Sequence, residues 1–383
     1  MKASKWQLTR ITGTEARLHE QIKGIGAESY ALRMYDKGCG FAARVVGLSC
    51  PAANILKQEA LASGADAIVA RGVINCSIER SDALIVGAEH SVRILAVRLA
   101  RQQFGLAMLG RQLEQMLDGA TAAGIQIKGD LLPLDKTYVM GILNITPDSF
   151  SDGGKYMTVP AALARAKQII DEGATFIDIG AVSTRPDFTP PSEDEECSRL
   201  EPVIEAVAKL AADNGLYLSL DSWRIAVIEK YIHLVDLIND QNGKADSGLA
   251  ALAAANNCAY CIMASDSNPA DSLYHEAQNA EKAGLTPEQI ILDPGFGFGK
   301  DVAGNYASLR QLPELASLGY PVLVGVSRKS MIKAAVGHEP EGRIYGSIAA
   351  ETLAAVNGAH IIRTHAVAAC VDAMNVVQWY KNI

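Results

Sequence analysis

No apolar run in these 383 residues approaches the ~20 that a helix needs to cross a bilayer, so a membrane-spanning protein is not expected. Low-complexity stretches are missing too, and 49% hydrophobic with 20% charged residues describes a chain that folds. There is no basic excess: the formal net charge of −8 has the wrong sign for a nucleic-acid partner. The first twenty residues carry Lys2, Lys5, Arg10 and Arg17 without an apolar core among them, which argues against export and for the cytoplasm. Cysteine is sparse and odd in number, seven in all and mostly inside apolar runs, so reduced thiols are expected. The one close pair, Cys258 and Cys261, has no second pair to complete a metal site. It reads as core.

What is present is enough chain for two domains. Residues 1–130 read as a small α/β unit. Strand-like runs lie at Ala42–Leu48, Asp66–Ala70 and Ala83–Gly87, with helices from Pro51, from Ser91 to Gln103 and from Leu106 to Leu117. No phosphate loop, metal cluster or nucleophile–base pair stands out there, and His19 and His90 are isolated. A role in stability or oligomer contact is the default.

From Lys136 to Ile383 the pattern changes to strand–helix alternation. Candidate strands are 138–143, 175–180, 216–220, 234–238, 258–263, 289–292, 321–325 and 359–363. Amphipathic stretches such as Ala161–Glu172, Cys197–Ala212, Asp271–Ala283, Ser347–Asn357 and Val367–Tyr380 separate them. Eight such units over 136–383 predict a (β/α)8 TIM barrel preceded by the small α/β domain, with a doubly wound open sheet as the alternative.

In such a barrel the strand ends meet at one mouth. The polar residues there are Asn144; Ser183, Thr184 and Arg185; Asp221 and Ser222; Asn239 and Asp240; Asp293; Ser327 to Ser330; and Arg363 with His365, beside Met263. Asp293-Pro-Gly-Phe-Gly-Phe-Gly-Lys300 lacks the spacing of a Walker loop or of a dinucleotide fingerprint. It reads as a bend that lets a flat ligand approach backbone beside Asp293, with Phe296 or Phe298 on the wall. Asp221, Asp293 and Asn239 suit a heterocycle with an amidine-like edge, because a carboxylate accepts two parallel N–H bonds. Arg185, Arg328, Lys329, Arg363 and His365 are cationic or potentially so, and point to an anionic substrate. Asn144 offers an oxygen to a Mg²⁺ held mainly through substrate phosphates and water. The loops Thr146–Gly154 and Thr184–Pro191 are long and polar enough to act as lids. Without a paired nucleophile, the chemistry should be a displacement helped by leaving-group stabilisation.

These residues carry a resemblance. Met140-Gly-Ile-Leu-Asn-Ile-Thr-Pro-Asp-Ser-Phe-Ser-Asp-Gly-Gly154, Ser183-Thr-Arg-Pro186, Asn239-Asp240, Leu292-Asp-Pro-Gly-Phe-Gly-Phe-Gly-Lys300, Gly325-Val-Ser-Arg-Lys-Ser330 and Gly358-Ala-His-Ile-Ile-Arg363 are similar to the motifs of the dihydropteroate synthases. Residues 53–60 resemble the longer bacterial forms with an amino-terminal extension. The family condenses 6-hydroxymethyl-7,8-dihydropterin diphosphate with p-aminobenzoate. The resemblance implies a pterin pocket at Asp221, Asn239, Asp293 and Lys329, and a Mg²⁺ ligand at Asn144. It implies diphosphate contacts at Arg363 and His365, p-aminobenzoate contacts at Thr184, Arg185, Pro186 and Ser330, and a homodimer through barrel helices. The chain departs from the family at Ala181 and Val182, at Asp187, at Ser222 to Arg224, at Ala264 to Ser267 and at Ala366. Two alternatives stay open on the sequence: a reduced-folate methyltransferase on the same barrel, and a degenerate pterin-binding paralogue.

Overall fold

The computed structural model describes residues 40–118, 122–145, 159–182, 191–242, 248–264 and 269–382. The expected lid loops, with Thr184, Arg185 and Pro186, lie outside them except for Pro191 at the end of the second. The chain forms two compact units, Met1–Ala120 and Thr121–Ile383. No helix among the described residues is long and apolar enough to cross a membrane.

In the first unit, β1 (Gly40–Ser49), β2 (Asp66–Val69) and β3 (Arg80–Ala88) form an antiparallel sheet in the order β1-β3-β2. Alternating exposure along β1 gives the sheet one inward face. Ser49 ends that strand and caps the next helix, Cys50–Ala62, its hydroxyl accepting from Ala52 N at 3.4 Å. Leu56, Ile85, Leu95, Leu99 and Leu106 form the core between sheet and helices. The expectation of reduced thiols throughout fails here: Cys50 and Cys76 are joined by a disulfide, while Cys197, Cys258, Cys261 and Cys370 are free. The pairing is tertiary. The turn after β2 returns beside the helix start, where Asn54 Nδ2 donates to Val73 O at 2.6 Å.

The second unit opens with a hairpin, β4 (Ile125–Ile127) and β5 (Asp130–Leu132). Its two-residue turn, Lys128-Gly129, has φ of 45° and 100°, the primed geometry that fits strand twist. The eight barrel strands follow: β6 (Tyr138–Asn144), β7 (Phe176–Gly180), β8 (Tyr217–Asp221), β9 (Leu237–Asp240), β10 (Ala259–Met263), β11 (Ile290–Asp293), β12 (Leu323–Val324) and β13 (Ile361–Thr364). All neighbours pair parallel in the order β11-β10-β9-β8-β7-β6-β13-β12. The ends meet through a Leu292–Val322 bridge and the bond from Leu292 N to Pro321 O, 2.8 Å. That closure rules out the open sheet. Cys197–Ala212 is two helices rather than one, Glu193–Leu200 and Ile204–Asp213, because Pro202 cannot supply the backbone donor that continuity needs.

Strand alternation sorts the barrel into layers. Outward residues such as Val139, Leu143, Ile177, Leu218 and Ile262 pack under the helices. The lower interior is apolar: Met140, Phe176, Leu237, Ala259, Ile291, Leu323 and Ile361 gather on Ile125 and Ile127 of the hairpin. The hairpin is the floor of the barrel. Lys128 Nζ reaches Asp236 at 2.6 Å, and Asp130 accepts from Tyr217 OH at 2.9 Å. Residues 125–132 therefore pack with the barrel.

Candidate active site at the barrel mouth

Two residues up five of the strands from that apolar layer, the interior turns polar. Phe176 is followed by Asp178, Tyr217 by Ser219 and Asp221, Leu237 by Asn239, Ile291 by Asp293, and Ile361 by Arg363. Register places Asp178 beside Ser219 and Asp221 beside Asn239.

Arg363 is the hub. Its Nε donates to Asp178 Oδ2 at 2.6 Å and its Nη2 to Asp221 Oδ2 at 2.7 Å. Asp178, fully buried, also accepts from Ser219 Oγ at 2.5 Å and, at 3.4 Å, from Asn239 Nδ2. Gln241 donates to the other oxygen of Asp221. Burial pushes the Asp221 carboxyl up to about 7; Arg363 opposes this, while Asp178 and Glu196 add to it. Burial works against the charge on Arg363, but Asp178 and Asp221 outweigh it and hold the guanidinium pKa above its ordinary value.

Asp293 ends β11 and turns the chain. Its Oδ1 accepts from Gly295 N at 2.8 Å. Gly295 has φ of 65°, and a Cβ there would lie 1.8 Å from Ala264 O, so no other residue fits. Gly297, at φ 78°, leaves room for Lys329, whose Cδ would stand 3.0 Å from an added Cβ. Lys329 donates to Phe296 O and lies 5.0 Å from the Phe298 ring centre. Burial pushes Lys329 down to about 8 against the pull of Asp293, and pushes the Asp293 carboxyl up against the pull of Lys329. Lys300 braces the bend from inside, donating to Pro294 O at 2.8 Å.

On the last strands, Ser327 Oγ lies 3.2 Å from His365 Nδ1 and accepts from His365 N at 3.2 Å. Burial, then Arg328, Arg363, Arg165 and Lys329, push His365 down to about 3. The ring is therefore neutral near pH 7, a polar partner for an anion rather than a cation.

The structure thus brings Asp221, Asn239, Asp293, Lys329, Arg363 and His365 to one mouth, with Met263, in register with Asp293, and Phe298 beside them. Asn144 ends β6 in register with Gly180, half-buried, and Ser330 is exposed where helix Ser330–Val336 begins. Thr184, Arg185 and Pro186 lie outside the described residues; among those described, Arg199 Nη1 donates to Ala181 O at 2.7 Å, and Arg224 donates to Pro191 O and to the buried Glu196. Sequence reading missed Asp178, though one acid within Phe176-Ile-Asp-Ile-Gly180 is a visible signal. Gln241 left none. Among the described residues no three His, Cys, Asp or Glu side chains are grouped to hold a metal. One amide oxygen at a strand end fits a Mg²⁺ carried by a substrate diphosphate, whose phosphates and waters supply the other ligands.

A family profile described as pterin binding enzyme matches residues 140–365. The dihydropteroate synthase of Escherichia coli (strain K12) is 39% identical over 268 residues, covering 66% of this chain and 94% of that enzyme. Two solved structures are similar, each across 68% of this chain and 99% of their own. They are the Yersinia pestis dihydropteroate synthase with a sulfonamide drug (TM-score 0.63, 38% identity) and the Xanthomonas albilineans dihydropteroate synthase with 4-aminobenzoic acid (TM-score 0.62, 38% identity).

Proposed function

The chain belongs to the pterin-binding enzymes, and within them to the dihydropteroate synthases, and from that premise we propose how its residues act. It is a transferase that condenses 6-hydroxymethyl-7,8-dihydropterin diphosphate with p-aminobenzoate, giving dihydropteroate and pyrophosphate. The observation that most supports this reading is the split mouth: a buried carboxylate at Asp221 and a half-buried one at Asp293, and Arg363 with a neutral His365 at the last strand.

Asp293 accepts the paired N–H groups of the pterin edge, with Asn239 and Asp221 on the rest of the ring and Met263 and Phe298 as walls. Lys329, half-desolvated between Asp293 and the Phe298 ring, adds a cation beside the ring. Arg363 spends Nε and Nη2 on two aspartates and keeps Nη1 for the diphosphate, next to His365. Asn144 would hold Mg²⁺, which when bound neutralises charge on the departing pyrophosphate. Thr184, Arg185, Pro186 and Ser330 receive p-aminobenzoate. Its neutral amine attacks the exocyclic methylene, the C–O bond breaks with its electron pair going to pyrophosphate, and the amine proton is lost to water. No strong base is needed. Exposed Tyr345, Leu353, Val376 and Trp379 on helices Ile344–Val356 and Val367–Asn382 support a homodimer through barrel helices.

The test is pyrophosphate release from the pterin diphosphate with Mg²⁺. Release that depends on p-aminobenzoate is expected; its absence, or release indifferent to p-aminobenzoate, overturns the synthase reading.

A further inference from the structure

Helix Ile344–Val356 packs against β13 and against helix Val367–Asn382, and it carries Glu351 fully buried. A carboxyl in that position is costly. Among the described residues neither carboxyl oxygen has an ion-pair or hydrogen-bond partner in this structure. Three groups face it, none charged: the hydroxyl of Thr364 on β13, the thiol of Cys370 on the C-terminal helix, and the hydroxyl of Ser327 after β12. Burial pushes the carboxyl up to about 7, the three neighbours pulling weakly the other way. Burial and Glu351 together push the Cys370 thiol up, so it stays protonated. Ser327 is also the partner of His365 Nδ1, and its oxygen lies 3.3 Å from that of Thr364.

We propose that Glu351 is a positioning residue that decides, through Ser327, which ring nitrogen of His365 carries the proton. Ser327 Oγ has one hydrogen and two lone pairs. One lone pair already accepts from His365 N. A protonated Glu351 donates to the second, Ser327 then donates to Nδ1, and the ring proton sits on Nε2, ready to bond a phosphoryl oxygen. An ionised Glu351 draws the Ser327 proton to itself. Nδ1–H then donates to Ser327, and Nε2 is left with a lone pair that repels an anion. His365 stays neutral in both states, held so by burial and by Arg328, Arg363, Arg165 and Lys329. The anion contact switches from donor to acceptor without titration of the ring.

Lys329 also faces this ring and titrates nearby, so the ring itself must be read. The full chain, labelled with ¹⁵N-histidine and free of ligand, is followed by two-bond ¹⁵N–¹H correlation, His365 being assigned with His365→Gln. Expected is the Nε2–H form at pH 6 and Nδ1–H at pH 8.5. In Glu351→Gln, whose amide donates at every pH, and in Glu351→Ala, which removes the proton, the pH-driven switch should vanish. A wild-type tautomer that does not change with pH, or a switch that survives in either variant, overturns the proposal. The wild-type KM for the pterin diphosphate should rise about tenfold over the same range, and less in Glu351→Gln. The effect on KM rests on His365 as a diphosphate contact. A tautomer switch with no change in KM would support Glu351 and sink that contact.

Discussion

At the scale of single residues, the mouth is arranged to keep carboxylates buried without matching each with its own cation. Arg363 serves Asp178 and Asp221 together, and Lys329 serves Asp293 without a direct ion pair. Asp293 Oδ1 accepts from the Gly295 amide, and among the described residues Oδ2 has no hydrogen-bond donor, so it is open to the ring edge of a pterin. Asp293→Asn removes the negative charge while keeping the shape. A charge-assisted bond of this kind is worth roughly 1.5–3 kcal/mol, so pterin affinity by calorimetry should fall about 10- to 100-fold. Unchanged affinity would show that the ring sits elsewhere. Glu351 gives a second expectation, now for stability. Its folded pKa, about 7, lies above the ordinary 4.5, so its contribution is present at low pH and is lost as pH rises through 7. Glu351→Gln should therefore melt higher than wild type at pH 8, by the equivalent of ~2–3 kcal/mol, and gain little at pH 4. The strand-end residues of the site were legible because chemistry in this fold sits where strands stop. Asp178 and Glu351 were not, since one lies inside a strand and the other inside a helix, where polarity usually signals packing.

At the scale of elements, the turn Ser327 to Ser330 carries more of the site than its length suggests. Arg328 has φ of 59°, a left-handed conformation that costs a side-chain-bearing residue about 1–2 kcal/mol. Two bonds hold it: Arg328 N donates to Ser347 Oγ at 3.0 Å, and Arg343 Nη1 donates to Arg328 O at 2.7 Å. Ser347 also donates to Arg343 O at 2.8 Å, so it anchors both. Ser347→Ala leaves Arg328 N–H without its acceptor and frees the strained turn that aims Ser327 and Lys329. We expect a stability loss of about 1–2 kcal/mol in chemical denaturation and a kcat/KM lowered about tenfold. A variant with unchanged kcat/KM would mean that the turn holds its shape by other means. Strand positions were legible to within a few residues, because each is a short apolar run between breaks. Short helices such as Leu249–Ala255 and Ser330–Val336 were not, having too few turns for a periodic signal.

At the scale of the molecule, the boundary between units and the boundary of what the barrel needs are different places. The units divide at Ala120, but the barrel floor begins at Ile125. A chain beginning at residue 121 should keep p-aminobenzoate-dependent turnover. One beginning at 133 loses Ile125 and Ile127, each worth about 2–5 kcal/mol as a buried side chain, against a usual total margin of about 5–15. It should fail to show a cooperative melt by circular dichroism; a normal melt would show that the floor is dispensable. The same floor has a consequence for how the chain is made. Ile125 and Ile127 leave the ribosome before any strand they will support, and Ile361, one of their partners, arrives almost last. It comes on β13, which must insert between β12 and β6 to close the ring. Until then the nascent chain holds an uncovered apolar underside and no complete mouth, since Arg363 arrives on the same strand. Closure of the ring and assembly of the site are one late event in synthesis, and a ribosome stalled before residue 361 should present a client for chaperones rather than a partial enzyme.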